Sequence, residues 1–357
     1  MRVLVTGGAG YIGSHAVKAL IEKGHEPVIV DNLVYGHKFV VDKVLKTPFI
    51  KCSIGDKDII SKIVNGTHKK LQNTVHENKV IEGVLHFAAF TYVGESVQKP
   101  IKYYQNNVIE TINFLDVLCP SKNSTSNNKI PLVFSSTCAI YGNPKGIPIK
   151  EISSPNPINP YGRSKLIVEN ILSDLNKAYN FEFLIFRYFN AAGASPDTSL
   201  GELHEPETHL IPLAIMAAFD EIDKLKIFGT DYDTKDGTCI RDYIHVADLA
   251  EAHVMGLEKL LEGKFRKDNE EYINQRIFNL GNGKGVSVRD IINSVEKITG
   301  RSINYVEDAR RIGDPPILIA DYKKAKEYLG WEPKIKDIDI IVKHACKWYL
   351  KLKEQKL

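Results

Sequence analysis

The sequence predicts an α/β protein with a doubly wound parallel sheet and a smaller mixed α/β region toward the C-terminus. Short β-branched and apolar runs alternate with amphipathic helical stretches through the first half of the chain, which is typical of strand-helix-strand units. The runs are largely apolar without alternation, as expected for strands that helices cover on both faces. A glycine-rich segment at residues 7–13 follows the first run and opens the first helix.

The positions of the strands and helices follow from the length and composition of these runs. The strand candidates are residues 3–5, 28–30, 49–51, 84–87, 132–135 and 183–186. The helix candidates are residues 13–23, 101–118, 161–179, 247–261 and 288–299. Gly24 can end the first of these helices in a left-handed conformation. Asn159 and Pro160 stand where the N-cap and the first residue of the third helix are expected.

The chain divides into two domains where the regular alternation of strands and helices ends. We expect a larger domain at residues 1–188 and a smaller one at residues 189–357, with segments near 236–262 returning to the first. Residues 121–129 form a short polar tract that can bury little surface. This tract predicts a surface insertion.

Composition excludes several classes of function. The chain has 47 basic and 44 acidic side chains, without a run of like charge that could neutralise a nucleic-acid backbone. Its five cysteines include no Cys-x-x-Cys pair, so we expect reduced thiols and no metal site. The longest apolar stretch, residues 210–219, is about half the length of a membrane span. We therefore expect a cytoplasmic protein with no nucleic-acid or membrane partner.

A dinucleotide site is predicted where the first strand meets the first helix. Gly7, Gly10 and Gly13 would allow a tight turn and close approach of the backbone to a pyrophosphate at the helix N-terminus. Asp31, at the end of the next strand, is placed to accept from both ribose hydroxyls and to repel a 2′-phosphate. This pattern favours a Rossmann-type domain that binds NAD rather than NADP. The alternatives are an ordinary glycine turn and a solvated loop acid.

A catalytic set is predicted at the end of the fifth strand. Tyr161 and Lys165 are four residues apart, so both side chains lie on one face of a helix. A nearby ammonium lowers the phenol pKa from about 10, and Tyr161 could then act as a base. Ser136 and Thr137 end an apolar strand, where ligands of doubly wound sheets bind. The alternatives are a solvated helix face for the Tyr-Lys pair and a turn role for Ser136.

These motifs, in this order, resemble the extended short-chain dehydrogenase/reductase superfamily. Within it the resemblance to the UDP-glucose 4-epimerase family covers essentially the whole chain, and it implies NAD-dependent interconversion of UDP-galactose and UDP-glucose by a homodimer. The blocks that carry the resemblance are residues 5–15, 93–97, 161–165, 187–190, 236–238 and 241–246.

The resemblance also implies a role for each residue of the site. Tyr161 would be the base, Lys165 would bind the nicotinamide ribose, and Thr137 would hydrogen-bond the sugar. The implied cofactor-binding residues are Gly7, Gly10, Tyr11, Ile12, Gly13, Asp31, Asn32, Ser53, Ile54, Phe87, Ala88, Ala89, Asn107, Ser135, Tyr161, Lys165 and Tyr188. The implied substrate-binding residues are Ser136, Thr137, Tyr161, Asn190, His209, Leu210, Phe228, Arg241, Arg311, Asp314 and Leu318. Two arginines suit a diphosphate because each offers a rigid fork of donors.

Four positions depart from the family pattern. Thr91 stands where the family often has a lysine near the cofactor, and Ser53 stands where an aspartate usually accepts from adenine. Thr137 replaces the commoner serine but keeps its hydroxyl. Leu318 lies where a tyrosine excludes N-acetylhexosamines and a small residue admits them. Leucine is intermediate in size, so the acetylated sugars remain an open alternative.

Four other functions are compatible with parts of the sequence. Epimerases of other UDP-sugars, such as uronates or pentoses, are the nearest. A sugar-nucleotide 4,6-dehydratase places an acidic pair after the strand-end threonine, whereas Cys138 and Ala139 follow here, which argues against it. A non-catalytic NAD-binding module usually loses the tyrosine or the lysine, and both are present. An oxidoreductase that releases NADH is not excluded by the sequence.

Overall fold

The computed structural model describes residues 1–72, 79–120, 129–265, 275–311 and 314–355, which form two compact units. The first unit contains Met1–Ile140, Pro155–Arg187 and Ala250–Phe278. The second contains Tyr141–Ser154, Tyr188–Leu249 and Asn279–Leu357. Of the polar tract at 121–129 only Lys129 is described, so the predicted insertion lies outside the described residues.

The strands of the described residues include all six predicted from the sequence. In chain order they are β1 (Arg2–Thr6), β2 (Glu26–Asp31), β3 (Phe49–Lys51), β4 (Gly83–His86), β5 (Leu132–Thr137), β6 (Phe183–Tyr188), β7 (Asn190–Ala192), β8 (Leu225–Phe228), β9 (Ile240–His245), β10 (Ile277–Leu280), β11 (Gly285–Ser287), β12 (Tyr305–Asp308) and β13 (Ile317–Leu318).

The helices flank these strands. They are α1 (Tyr11–Glu22), α2 (Lys57–Val64), α3 (Val93–Gln98), α4 (Pro100–Tyr104), α5 (Glu110–Leu118), α6 (Pro160–Tyr179), α7 (Leu210–Ala218), α8 (Val246–Leu261), α9 (Val288–Thr299), α10 (Lys323–Leu329) and α11 (Ile338–Gln355). Among the described residues, no helix combines the length and apolar character that a membrane span requires.

A seven-stranded parallel sheet organises the first unit, in the order β10-β6-β5-β4-β1-β2-β3. The chain winds outward from β1 in one direction through β2 and β3, and in the other through β4 to β6. This is the doubly wound order, and the predicted fold class is confirmed. Leu4, Val28, Val84 and Phe134 are buried in its core, which explains why these strands are apolar on both faces.

The predicted helix ends are largely confirmed. Gly24 follows α1 with a φ of +78°, and the Asn159 side chain accepts a hydrogen bond from the Gly162 N–H at 2.8 Å, with Pro160 as the first residue of α6. Two predictions differ from the structure. Helix α1 begins two residues earlier than expected because Gly10 serves as its N-cap without a side-chain acceptor. The predicted helix at 101–118 is divided by a π-helical turn at Gln105–Ile109.

The second unit has a mixed α/β architecture, as predicted. Strand β9 is its centre: β11 pairs with β9 antiparallel, while β7 and β13 pair with it in parallel. Strands β8 and β12 form a separate parallel pair. Helices α7, α9 and α11 pack together through buried aliphatic side chains such as Ile211, Ile291 and Ile341.

The boundary between the units differs in detail from the predicted domains. Residues 141–154 group with the second unit, and the segment that returns to the first unit is Ala250–Phe278 rather than 236–262. The physical reason is strand pairing. Strand β9 pairs with three strands of the second unit, whereas β10 adds to the edge of the seven-stranded sheet beside β6.

Candidate active site

The glycine turn lies between β1 and the start of α1, as predicted. Gly7 has a φ of +71°, and a Cβ there would lie 2.7 Å from the Ala88 nitrogen, so only glycine allows this approach of the backbone. Gly10 is the N-cap of α1, and Tyr11 and Ile12 are its first residues. Because the amides of the first helical turn point outward at its positive end, the turn can bind a phosphate group.

Asp31 lies at the end of β2 and faces this turn. Its carboxylate accepts hydrogen bonds from the Ala9 N–H at 3.1 Å and the Leu33 N–H at 2.7 Å. Burial raises the pKa of this carboxyl, although both backbone hydrogen bonds oppose the effect. A carboxylate has about four acceptor positions, so it can still accept from a ribose diol. Asn32 follows and accepts from the Val34 N–H through its side chain.

The predicted adenine region contains a carboxylate that sequence reasoning missed. Ser53 donates its hydroxyl hydrogen bond to Glu110, and Glu110 also accepts from the Gly55 N–H at 3.0 Å. Glu110 therefore supplies a carboxylate beside Ser53, the position where the family usually has an aspartate. Ile54 is buried next to them. The sequence gives no local signal for this pair because 57 residues separate its members.

Residues after β4 are held in place by Asn107. Its side-chain amide donates to the Phe90 carbonyl at 3.0 Å and to the Ser164 hydroxyl at 3.1 Å, and its side-chain oxygen accepts from the Phe90 N–H at 2.8 Å. Asn107 thus fixes the segment that contains Phe87, Ala88 and Ala89. Its own predicted contact with the cofactor stays a prediction.

The three residues that end β5 point in alternating directions. The Ser135 carbonyl accepts from the Lys165 ammonium at 2.7 Å. Ser136 is fully buried and donates to Glu169 at 2.5 Å. The Thr137 hydroxyl accepts from the Ala139 N–H at 3.1 Å. The structure therefore places the Ser136 hydroxyl against α6, and its predicted contact with substrate stays a prediction.

Helix α6 brings Tyr161 and Lys165 close to the end of β5. The start of the helix lies very near the turn after β5: a Cβ on Gly162 would be only 2.7 Å from the Ala139 carbonyl oxygen. Tyr161 and Lys165 are 7% and 3% exposed. Burial lowers the pKa of Lys165 to about 7, while the negative charge of Glu169 opposes the shift. Its ammonium group also lies 4.9 Å from the centroid of the Phe134 ring.

A buried ion pair supports this helix and was not predicted. Glu169 accepts from Arg187 Nε at 3.1 and 3.2 Å and from its terminal nitrogen at 2.6 Å. Both side chains are 3% exposed. Together with Ser136 they link β5, α6 and β6. A signal was present in the sequence, since Glu169 lies four residues after Lys165 on the same helix face.

In the second unit the predicted substrate residues form one clear group around β9. Arg241 forms an ion pair with Asp314 and donates to the Ile240 carbonyl at 2.8 Å. Leu318 pairs with Arg241 in the register of β13 and β9. Asn190 begins β7, which pairs with β9 on Tyr243.

The remaining predicted substrate residues lie at the ends of neighbouring elements. The Arg311 guanidinium stacks on the Phe228 ring, 3.9 Å from its centroid, and the Arg311 carbonyl accepts from the Asp314 N–H at 3.2 Å. His209 is the N-cap residue of α7, and Leu210 is its first residue. Tyr188 ends β6. The contacts of all these residues with ligands stay predictions.

A glycine turn at a helix N-terminus, a strand-end hydroxyl and a buried Tyr-x-x-x-Lys helix together define a dinucleotide-dependent enzyme of the short-chain dehydrogenase type. The sequence profile of the NAD dependent epimerase/dehydratase family matches residues 3–281, and the chain belongs to this family. The predicted family resemblance and the predicted cofactor, NAD, are confirmed.

Individual relatives match over nearly the full chain. The chain is 44% identical over 349 residues to the UDP-glucose 4-epimerase of Lactobacillus helveticus, across 98% of this chain and 97% of that one. A structure of UDP-glucose 4-epimerase from Brucella ovis in complex with NAD is 45% identical, with a TM-score of 0.84 and 97% of each chain covered. The enzyme from Bifidobacterium longum in complex with NAD+ and UDP is 34% identical, with a TM-score of 0.84 and 98% of each chain covered.

Proposed function

We propose that this chain is an isomerase that interconverts UDP-galactose and UDP-glucose by inverting C4 of the sugar. The observation that carries the proposal is the set at the end of β5, where Thr137, Tyr161 and a buried Lys165 lie within one unit. The near full-length similarity to the UDP-glucose 4-epimerase of Lactobacillus helveticus supports the choice of substrate.

Acid-base chemistry is assigned to Tyr161. Its phenolate takes the proton of the sugar 4-hydroxyl, and the Thr137 hydroxyl holds that oxygen in place. In its protonated form Lys165, whose pKa burial lowers to about 7 against the opposing charge of Glu169, stabilises the phenolate. Bound NAD supplies the hydride acceptor and donor that let C4 be oxidised and then reduced on the opposite face.

The nucleotide part of the substrate is assigned to the second unit. Arg241 and Arg311 offer guanidinium donors to the diphosphate, and Asp314 orients Arg241 through their ion pair. Phe228 offers an aromatic face near Arg311. These residues would hold UDP firmly while the 4-keto sugar turns over, which is what inversion at C4 requires.

The activity is tested with the purified chain and UDP-galactose, without added NAD. Proton NMR follows the sugar while absorbance in the NADH band is recorded. We expect conversion to a mixture with UDP-glucose and no lasting NADH signal, because oxidation and reduction cancel within each turnover. Accumulation of NADH would identify an oxidoreductase, and loss of water from the sugar would identify a 4,6-dehydratase. Either result would contradict the proposal.

Leu318 favours a second candidate substrate, the UDP-N-acetylhexosamines. It is buried beside Arg241 in β13, and it is smaller than the tyrosine that excludes an acetamido group in the family. The same NMR assay with UDP-N-acetylglucosamine tests this candidate. The candidate is supported if the wild type turns over UDP-N-acetylglucosamine and Leu318→Tyr does not, while both proteins turn over UDP-galactose. Equal turnover of UDP-N-acetylglucosamine by the wild type and Leu318→Tyr would show that residue 318 does not exclude the acetamido group.

We also infer that the chain forms a homodimer through α3 to α6. Helices α3 and α4 pack against α6, and these elements expose Val97 (61%), Ile101 (66%), Ile109 (53%) and Ile112 (44%). Burying such side chains is favourable. Sedimentation velocity should give about twice the chain mass of 40.1 kDa. The double substitution Ile101→Glu, Ile109→Glu should give a monomer, and Ile152→Glu, at a residue exposed elsewhere, should not.

We also propose that the protein is cytoplasmic and that it acts in galactose metabolism. Cys52, Cys119, Cys138, Cys239 and Cys346 are all free thiols, which is typical of proteins in a reducing compartment. Reaction of the native and denatured chain with a thiol reagent would test this, since the free thiols of one chain should total five in the denatured state.

A further inference from the structure

Four potential metal ligands converge on the segment between β7 and α7 in the second unit. Glu202, His204, Glu207 and His209 each bring one ligand atom to within 4.8 Å of the other three. The His204 Nδ1 atom lies 3.1 Å from Glu202 Oε1 and 3.8 Å from Glu207 Oε1. The His209 Nδ1 atom also contacts Glu202 Oε1. Two imidazoles and two carboxylates thus lie together in one cluster.

The distances from His204 to the two carboxylates are compatible with ligands of one tetrahedral ion. Metal-ligand bonds of about 2.0–2.1 Å to nitrogen and oxygen place tetrahedral ligands about 3.3 Å from one another. The two His204 distances, 3.1 and 3.8 Å, lie on either side of this value. The His209 Nδ1 and Glu202 Oε1 atoms lie closer together than this value, so these two side chains must move apart for an ion to bind.

The ligands are also held in place by groups around them. The Glu202 carbonyl accepts from the Trp348 indole N–H at 2.8 Å. Glu207 Oε1 accepts from the N–H groups of Thr208 at 2.6 Å and His209 at 2.8 Å. Such outer contacts fix the orientation of metal ligands in known sites.

Burial distinguishes this cluster from an ordinary acidic surface patch. The side chains of Glu202, Glu207 and His204 are only 7%, 9% and 13% exposed. Buried carboxylates require a compensating positive charge, which a bound cation supplies, or the imidazolium groups of His204 and His209 when no ion is bound. The side chain of His209 is 47% exposed, so an ion could enter and leave on that side.

We propose that Glu202, His204, Glu207 and His209 form a structural Zn²⁺ site that closes the segment before α7. Mixed nitrogen and oxygen ligands suit zinc, whereas Mg²⁺ and Ca²⁺ prefer oxygen alone. Four protein ligands leave no open coordination position, which indicates a structural ion rather than a catalytic one. The sequence alone predicted no metal because the motif contains no cysteine. His209 is also a predicted substrate-binding residue, so the test measures zinc binding rather than turnover.

The test uses the full-length chain without an affinity tag, since histidine tags bind zinc. The protein is stripped with a chelator, dialysed and titrated with ZnCl₂ by calorimetry, with MgCl₂ as the comparison ion. We expect one Zn²⁺ per chain, a higher Tm with zinc, and no response to magnesium. The variant His204→Ala, His209→Ala should lose at least about 100-fold in zinc affinity, beyond the range for an outer contact. His68→Asn should bind zinc as the wild type does.

Two results would overturn the site. One is a wild-type chain that binds no stoichiometric zinc, which would leave the cluster as paired imidazolium and carboxylate groups. The other is equal zinc affinity in the double variant, which would place the ion elsewhere. If that variant does not fold, Co²⁺ added to the stripped wild type gives the answer. The strong visible absorption of tetrahedral Co²⁺ supports the site, and the weak absorption of octahedral Co²⁺ contradicts it.

Discussion

Tyr161 differs from phenylalanine by one oxygen atom, and that atom is the proposed base. Tyr161 is 7% exposed, so Tyr161→Phe keeps the buried ring in place while removing the proton acceptor. We expect kcat to fall by about 100- to 10,000-fold, the usual loss for an acid-base group, with little change in Tm. The NMR assay with UDP-galactose measures this loss.

Tyr179→Phe is the matched control because Tyr179 lies on the same helix at its far end. Its turnover should stay close to that of the wild type. Near-normal turnover in Tyr161→Phe would show that Tyr161 is not the base.

At this scale the sequence could predict residues that belong to compact motifs. Gly7, Asp31, Tyr161 and Lys165 are recognised by their spacing, and the structure places them on the expected turn, strand end and helix. Glu110 could not be found in this way. Its partner Ser53 is 57 residues away, and only the folded chain brings them together.

Among the elements, α6 depends on the ion pair beneath it. Glu169→Gln would leave the Arg187 guanidinium buried without its carboxylate partner and would weaken the bond to Ser136. Breaking a buried ion pair on one side costs about 3–5 kcal/mol. We expect the free energy of unfolding in urea to fall by about this amount.

Glu258→Gln provides the control for this substitution. Glu258 also pairs with two basic groups, Lys23 and His25, but its side chain is 29% exposed. Removing an exposed pair costs at most about 1 kcal/mol. Equal losses in the two variants would show that the Glu169 pair contributes no more than a surface pair.

Sequence patterns predicted the long elements better than the short ones, except that the 18-residue helix α11 was not predicted. Strands β1 to β6 and helix α9 were found because apolar runs and helical periodicity persist over enough residues, whereas β10 was not predicted. Strands such as β7, β11 and β13 have only two or three residues and show no period. The π-helical turn at Gln105–Ile109 was also missed; it contains Asn107, whose side chain bonds to the distant residues Phe90 and Ser164.

The stability of the whole molecule should depend on pH through His86. Burial, assisted by the nearby charge of Lys165, lowers the pKa of His86 to about 3 from its ordinary value of 6.5. Between these values the unfolded chain binds a proton that the native chain does not. Native stability is therefore lost as the pH falls from about 6.5 toward 3, by about 1.4 kcal/mol per pH unit.

Urea unfolding between pH 4 and 6.5 measures this slope. His86→Asn removes the titrating group but can still hydrogen-bond Thr6, which lies 2.6 Å from His86 Nδ1. We expect a smaller dependence on pH in the variant, whatever its absolute stability. Identical slopes in the variant and the wild type would contradict the assignment to His86.

The division into units was predictable only in outline. The loss of strand-helix alternation near Arg187 predicts the end of the first domain, and the chain does pass from the first unit to the second after Arg187. The segment that returns to the first unit, Ala250–Phe278, lies later in the chain than the predicted 236–262. Strand pairing decides which segment returns. Whether β9 or β10 joins the large sheet depends on partners that are distant in sequence.

The central claim is that C4 is oxidised and reduced within one turnover, and UDP-galactose deuterated at C4 tests it most directly. The purified chain converts this substrate in ordinary water, and NMR and mass spectrometry locate the deuterium in the product. The account predicts UDP-glucose that keeps its deuterium at C4, because the hydrogen leaves and returns without reaching solvent. UDP-glucose that has lost the deuterium to water would contradict the account, since inversion would then proceed by proton exchange.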